Sequence, residues 1–418
     1  MKLLTTVFAF FILQIVLGQN YLHQVLVLNE GYYDYQNQTL VHPVTVGSYN
    51  PATQQYQTVA TIPNMRFASD LIIDGNVYYV AADSKIIKFN LNTHAPISEV
   101  NCPGVRNLAV YQNKLIATRG EYLTTYDSYL HVYDATSLQL LTAIDTVNGP
   151  KWASQNVVIS NGTAYIAVNN GYQWGNEKGI IGQLNLSNMT YGSELDLGID
   201  GKNPDNLIIY GNAIYSVNNK DWSGASVSKI DLVSNTSTTT NIANAATGCG
   251  TSALLADKIV YQIAATQDLN AFDMNLMYSI GPIAGYALSF YELGEEPISG
   301  NLYASETDFS SFGTVHIYNA AHQAIGQFSA DVSPGTFGFD VRSNVGIAET
   351  SQNTMVYPNP ASGSFTISEG ITGLCSLVGI DGKTVRTMDS NELTVEGLPA
   401  GCYFIENEGR MIAKIQVK

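Results

Sequence analysis

Apolar positions along the chain fall into one recurring unit: a short apolar strand opened by a polar anchor, a Gly or Asn turn, and a second strand ending in a small or branched apolar residue. Copies run over 70–80, 107–117, 156–166 and 206–216, with a weaker one over 252–262. Each reads as a hairpin, because Asn, Asp and Gly tolerate the backbone of a tight turn. A third strand follows, as in Ile86 to Leu91, Leu130 to Asp134, Ile181 to Leu186, Val227 to Leu232 and Val315 to Asn319. Its terminal Asp or Asn opens a turn into a fourth strand. The anchors Asp70, Asn107, Asn156, Asn206 and Ser252 recur at the spacing of four-stranded propeller blades. A sixth unit runs from about Tyr286 to Ser333. Thr336 to Val341 then supplies a first strand for which Gln24 to Leu28, Val44 to Tyr49 and Tyr56 to Ala60 supply the other three. The pattern predicts an all-β, seven-bladed β-propeller over 19–346, closed by one composite blade from both ends, which leaves no free sheet edge.

The flanks have a different texture. Met1 and Lys2 precede an apolar run ending at Gly18, the pattern of a signal peptide (1–18) cleaved before export. The run is short for a bilayer and Gln14 interrupts it; no other segment is apolar enough to span a membrane in the mature chain. A polar linker, 347–354, leads into 355–418, which reads as a small β-sandwich with Pro and Gly turns.

Net charge is −16, from 19 Lys and Arg against 35 Asp and Glu. Phosphate backbones demand basic density, so nucleic acid is excluded as a partner. Four Cys in an exported chain of 418 residues do not make a disulfide scaffold. A Cys375–Cys402 bridge is left open, and no CxxC pair suggests zinc.

The tail carries the most specific motifs: Tyr357-Pro358-Asn359-Pro360, the Asp381-Gly382-Lys383 turn, and Leu398-Pro399-Ala400-Gly401 running into Tyr403-Phe404. It resembles the type A sorting domain of the type IX secretion system of Bacteroidota. That resemblance implies an interaction of 355–418 with the secretion machinery, passage across the outer membrane, and a place in the medium or on the outer cell surface. Cys402 departs from the aliphatic residue usual there.

Catalytic templates return little. HExxH and GxSxG are missing, no acid and base pair assembles, and His131 and His316 sit at equivalent third-strand positions that suit a repeated structural hydrogen bond. The expectation is a non-enzymatic protein without a metal or cofactor. Binding has better support, since a propeller gathers its two-to-three loops and its blade-to-blade connections on one face. The loops are aromatic: Tyr32, Tyr33, Tyr35, Tyr122, Tyr126, Tyr172, Trp174, Trp222, Phe272, Phe309 and Phe312, with Trp152 in a connection. Such rings stack on sugars, bases or macrocycles. Arg66, Arg106, Lys151 and Lys202 each stand shortly before an anchor and would converge near the axis, either to bind an anionic ligand or to pair with acids such as Asp70 and Asp205 and seal the ring. The candidate ligand site is therefore Tyr32, Tyr33, Tyr35, Arg66, Arg106, Tyr122, Lys151, Trp152, Trp174, Lys202 and Trp222.

Val27-Leu28-Asn29-Glu30-Gly31 and the Asp- or Asn-terminated third strands resemble the YncE-like, YVTN-repeat surface propellers of Bacteroidota. One branch of that group captures cobalamin for an outer-membrane transporter, but it is lipid-anchored, whereas this chain has no lipobox. The expectation is a monomeric, secreted or surface-bound propeller that holds a ligand on the aromatic and basic face, with the resemblance pointing to a corrinoid-like or other anionic small molecule. A carbohydrate- or protein-binding adhesion module and a propeller lyase or hydrolase are the alternatives.

Overall fold

The computed structural model describes residues 20–220, 224–242, 245–247, 251–343, 356–362, 364–367, 375–380, 382–388, 392–394, 397–407 and 410–418. The chain divides into two compact units: Leu22–Val341, and a second containing Arg342–Lys418.

Among the described residues, Leu22–Val341 holds seven four-stranded antiparallel sheets. The first joins both ends of the unit, in the order Pro334–Ser343, Asn20–Asn29, Val44–Asn50, Gln55–Ile62. The next six are sequential four-strand meanders, beginning at Asp70, Val105, Ser154, Pro204, Ser252 and Leu293. The regular helix content among the described residues is one 3-10 turn, Ile199–Gly201. The nearly all-β, propeller-like architecture follows from the repeat.

Burial explains the texture of the strands. Second strands such as Ala213–Asn218 are buried throughout, whereas fourth strands such as Thr190–Asp196 are largely exposed. Strand alternation sends neighbouring residues into two different layers: Tyr78 and Val80 pack toward the first sheet, Tyr79 and Ala81 toward the third. Seven apolar layers lie between successive sheets, and one of them, Val25, Val27 and Tyr49 against Tyr303, Val315 and Phe328, joins the last sheet to the first. Tyr49 and Phe328 stack there at 4.1 Å.

The Asp or Asn ending each third strand has a local cause. Its side-chain oxygen accepts backbone N–H groups two or three residues on, the turn chemistry to which short polar side chains are suited. Asp134 takes the amides of Thr136 and Ser137, Asp231 those of Val233 and Ser234, and Asn50, Asn90, Asn185, Asp273 and Asn319 do likewise.

In the second unit, Phe365, Ile367, Leu377, Tyr403, Ile405, Ile415 and Val417 form a core between a three-stranded and a four-stranded sheet. Cys102, Cys375 and Cys402 are free thiols. The register explains why Cys375 and Cys402 do not bridge: Cys375 lies opposite Asn407, at the other end of Gly401–Asn407 from Cys402. The leader (1–18) and the linker (347–354) lie outside the described residues. No helix among the described residues is long and apolar enough to cross a membrane.

Candidate functional site: a polar axial cavity

Each repeat opens its first strand with a polar residue, and the fold brings these openings together. A cavity of about 430 Å³ is lined by Asp70, Asn107, Asn156, Asn206, Ser252 and Thr336, from the first strands of six sheets, and by Glu292, which immediately precedes the first strand of the seventh. Several of the same segments join neighbouring sheets. Asp70 accepts the Leu108 amide at 2.7 Å, Asn206 donates to the Ser252 carbonyl at 2.9 Å, and the Thr251 hydroxyl donates to the Tyr291 carbonyl at 2.8 Å.

Glu30 enters this cavity from the first sheet. Gly31, at φ 76°, has the backbone a turn needs there, and a side chain at that position would strike the carbonyl of His42. Gly335 keeps the Glu30 carboxylate clear in the same way. The Tyr291 hydroxyl donates to Glu30 at 2.7 Å.

Four carboxylates, Glu30, Asp70, Asp205 and Glu292, thus share a cavity with one cation, Arg106. Burial pushes Glu30 and Asp205 up to about 7 and Asp70 up to about 6, against the favourable pull of hydrogen bonds at all three and of Arg106 on the first two. Glu292 is held well above the usual carboxylate range by burial and by the charges of Glu30, Asp70 and Asp205. Folded-state values above unfolded ones mean that the native protein binds these protons more tightly. The stability they contribute is therefore complete at low pH and is lost as pH rises through about 7. The melting temperature is expected to rise between about pH 8 and pH 6.5, and Glu30→Gln combined with Asp205→Asn should flatten that rise. His131, pushed down to about 4 by burial and by Arg119, acts in the opposite sense, but only below its ordinary 6.5. Calorimetry across this interval checks the assignment; a flat or falling wild-type profile contradicts it.

Arg106 is fixed rather than paired. Its Nε donates to the Gly120 carbonyl at 2.8 Å, and its guanidinium lies 4.2 Å from the Tyr172 ring and 5.2 Å from Phe67. Arg66 has a different fate: it grips Asp83 through Nε at 2.8 Å and Nη2 at 2.5 Å, and reaches Glu121 at 2.7 Å. This pairing consumes its charge outside the cavity. Lys151 is exposed and Lys202 half-buried, and neither lines the cavity. Of the four cations expected to converge, Arg106 reaches the cavity wall.

The aromatic residues separate similarly. Tyr35, Tyr122 and Trp174 are 63%, 56% and 76% exposed. Tyr122 and Trp174 approach at 6.3 Å, and Tyr33 meets Tyr35 edge-on at 4.9 Å. Tyr32 and Tyr33 are half-buried in the Tyr32–Asp34 strand. Trp152 is half-buried against the layer between the third and fourth sheets, beneath the Lys178 ammonium at 5.0 Å. Phe272 is not a loop residue: it belongs to Leu269–Asp273 and is fully buried between the fifth and sixth sheets. Trp222 lies outside the described residues.

His131 and His316 are held by their own sheets. His131 sits between Arg119 and the Tyr133 hydroxyl, each at 3.0 Å, and His316 meets Glu306 at 3.1 Å. Among the described residues, no group of three or more His, Cys, Asp or Glu is arranged to hold a metal ion.

The residues missing from the sequence-derived site are Glu30, Asp70, Asp205, Glu292, Phe67, Tyr172, Tyr291 and the surrounding amides. The signal for several was the repeat itself, since the anchor opening each first strand is the position that faces the cavity.

Comparison with known proteins bears on the fold and the tail. The extracellular domain of BT4673 from B. thetaiotaomicron superposes with a TM-score of 0.52 at 12% identity, over 96% of this chain and 59% of that one. The chain thus spans less than two thirds of that structure. Dihydro-heme d1 dehydrogenase NirN, solved in complex with DHE, gives 0.50 at 14% identity over 74% of each chain. At such identities the likeness is one of fold. No curated protein sequence matches the chain. Residues 355–418 match the family described as the secretion system C-terminal sorting domain. This tail marks the chain for the type IX secretion machinery, and the protein is exported to the cell surface or the extracellular space.

Proposed function

We propose that Leu22–Val341 is a seven-bladed propeller, closed by its composite sheet and akin to the YncE-like surface propellers, that captures a small polar ligand in its axial cavity outside the cell. The observation that carries this reading is the cavity of about 430 Å³ to which all seven repeats contribute, walled by amides, carboxylates and an aromatic-clamped arginine. Its size is near the lower end of the roughly 300–1,000 Å³ typical of ligand sites. A compact ligand suits it better than a corrinoid, whose macrocycle would have to rest on the outer aromatics. Arg106 is the cation suited to a phosphate or carboxylate on that ligand.

A second reading is adhesion to glycan or protein, favoured by the exposed Tyr35, Tyr122, Trp174, Phe309 and Phe312. Rigid aromatic rings provide contact area at low entropic cost. Native mass spectrometry of the exported protein separates the two. A retained small molecule, lost from an Arg106→Gln variant, supports capture in the cavity; an empty protein that binds a glycan array through Trp174 supports adhesion.

A further inference from the structure

Arg106 and Glu292 are the two ionisable cavity residues whose side chains have the fewest partners of opposite character. Among the described residues, Arg106 has no carboxylate within 4.0 Å, and its side-chain hydrogen bond runs from Nε to Gly120. The Glu292 carboxylate has no hydrogen-bond or ion-pair partner among them; its backbone amide is satisfied by Ser305. Chain order separates the two residues. Arg106 stands on the first strand of the third sheet and Glu292 immediately precedes that of the last, so in a seven-sheet ring they face each other across the axis.

The same cavity is lined by amides with unfilled capacity. Asn203 is 2% exposed, and its Nδ2 has no acceptor among the described residues, while its Oδ1 takes a bond from Asn169 at 3.1 Å. Asn107 Oδ1 is likewise buried without a donor. Both residues line the cavity, beside Gln155, Asn156 and Asn206. Amide side chains present a donor and an acceptor together, which is the complement of a peptide bond.

The charge pattern narrows the ligand. A simple anion would satisfy Arg106 but meet four carboxylates. A simple cation would satisfy the carboxylates but leave Arg106 unpaired. A molecule with opposite charges at its two ends matches both walls, and leaving a buried charge without its partner is what binding sites discriminate against. Resting on the capture reading above, we propose that the ligand is a short zwitterionic peptide. Its terminal carboxylate sits on Arg106, its terminal ammonium lies among Glu292 and Glu30, and its amide bonds face the asparagines.

The test is calorimetric titration of the full chain with four matched probes: alanyl-phenylalanine, its N-acetyl derivative, its C-terminal amide, and the doubly capped form. The zwitterion is expected to bind at least about tenfold more tightly than either singly capped probe. Arg106→Gln should make the free acid and the amide equivalent, and Glu292→Gln should do the same for the free and acetylated amines. Circular dichroism melts establish that the variants fold; if one does not, the wild-type probe series still decides. Equal affinities across the four probes overturn the proposal. If none binds but native mass spectrometry finds another retained molecule, capture stands and the peptide class is wrong. If none binds and nothing is retained, both readings fall.

Discussion

Deletion of residues 355–418 is expected to remove the protein almost completely from the medium and the cell surface while leaving Leu22–Val341 folded inside the outer membrane. The tail matches the sorting-domain family along its described length and has its own apolar core, around Phe365, Leu377, Ile405 and Ile415. Leu22–Val341 is a separate compact unit whose seven apolar layers are all internal to it. Export and folding are therefore separable. Immunoblots of medium, surface and periplasmic fractions, with a thermal melt of the truncated protein, measure both. A truncated chain that still reaches the medium would contradict the sorting role, and one that fails to fold would contradict the independence of the unit.

The second large effect is on stability. Phe272→Ala is expected to cost about 3–5 kcal/mol, the range for emptying an aromatic site in a packed core. The ring is completely buried among Ile259, Tyr261, Val227 and Met274, in the layer that joins the fifth and sixth sheets. Loss of its volume leaves a cavity that neither sheet can collapse to fill, because strand pairing fixes both backbones. Trp174→Ala, at a ring 76% exposed, should stay within about 0.5 kcal/mol. Urea unfolding of the two variants against wild type checks the pair. Comparable destabilisation by both would mean that the division between core and surface aromatics is misplaced.

Phe272 also shows where a linear reading fails. Its sheet has the weakest repeat copy, and without a visible third strand the residue falls among aromatic loop positions. Backbone pairing of Leu269–Asp273 with Lys258–Gln262 places it in the core instead. Arg66 and Arg106 illustrate a second limit. Both precede an anchor, so their positions in the repeat are alike. Their fates diverge because Asp83 and Glu121, from two different connections, close on Arg66, whereas Phe67 and Tyr172 clamp Arg106 over the cavity. Neither set of partners is adjacent in sequence.

Glu30 and Glu292 were hidden for a related reason. Glu292 precedes the short first strand Leu293–Glu295, which the repeat pattern barely marks, and Glu30 appears only as part of a short motif near the mature N-terminus. The convergence of both with Asp70 and Asp205 in one cavity is a property of the packed sheets and not of any segment.

Local rules therefore determined what the sequence alone could reveal. Alternating burial set the strands, Asp and Asn side chains capped the third-strand turns through bonds two or three residues away, and contiguous motifs in 355–418 marked the exported tail. Those interactions are short in sequence, so their signatures are contiguous. The cavity, its cluster of carboxylates, the unpaired Arg106 and the burial of Phe272 were decided by tertiary structure. Each depends on residues from different sheets being brought together, and that juxtaposition exists only once the sheets have packed side by side.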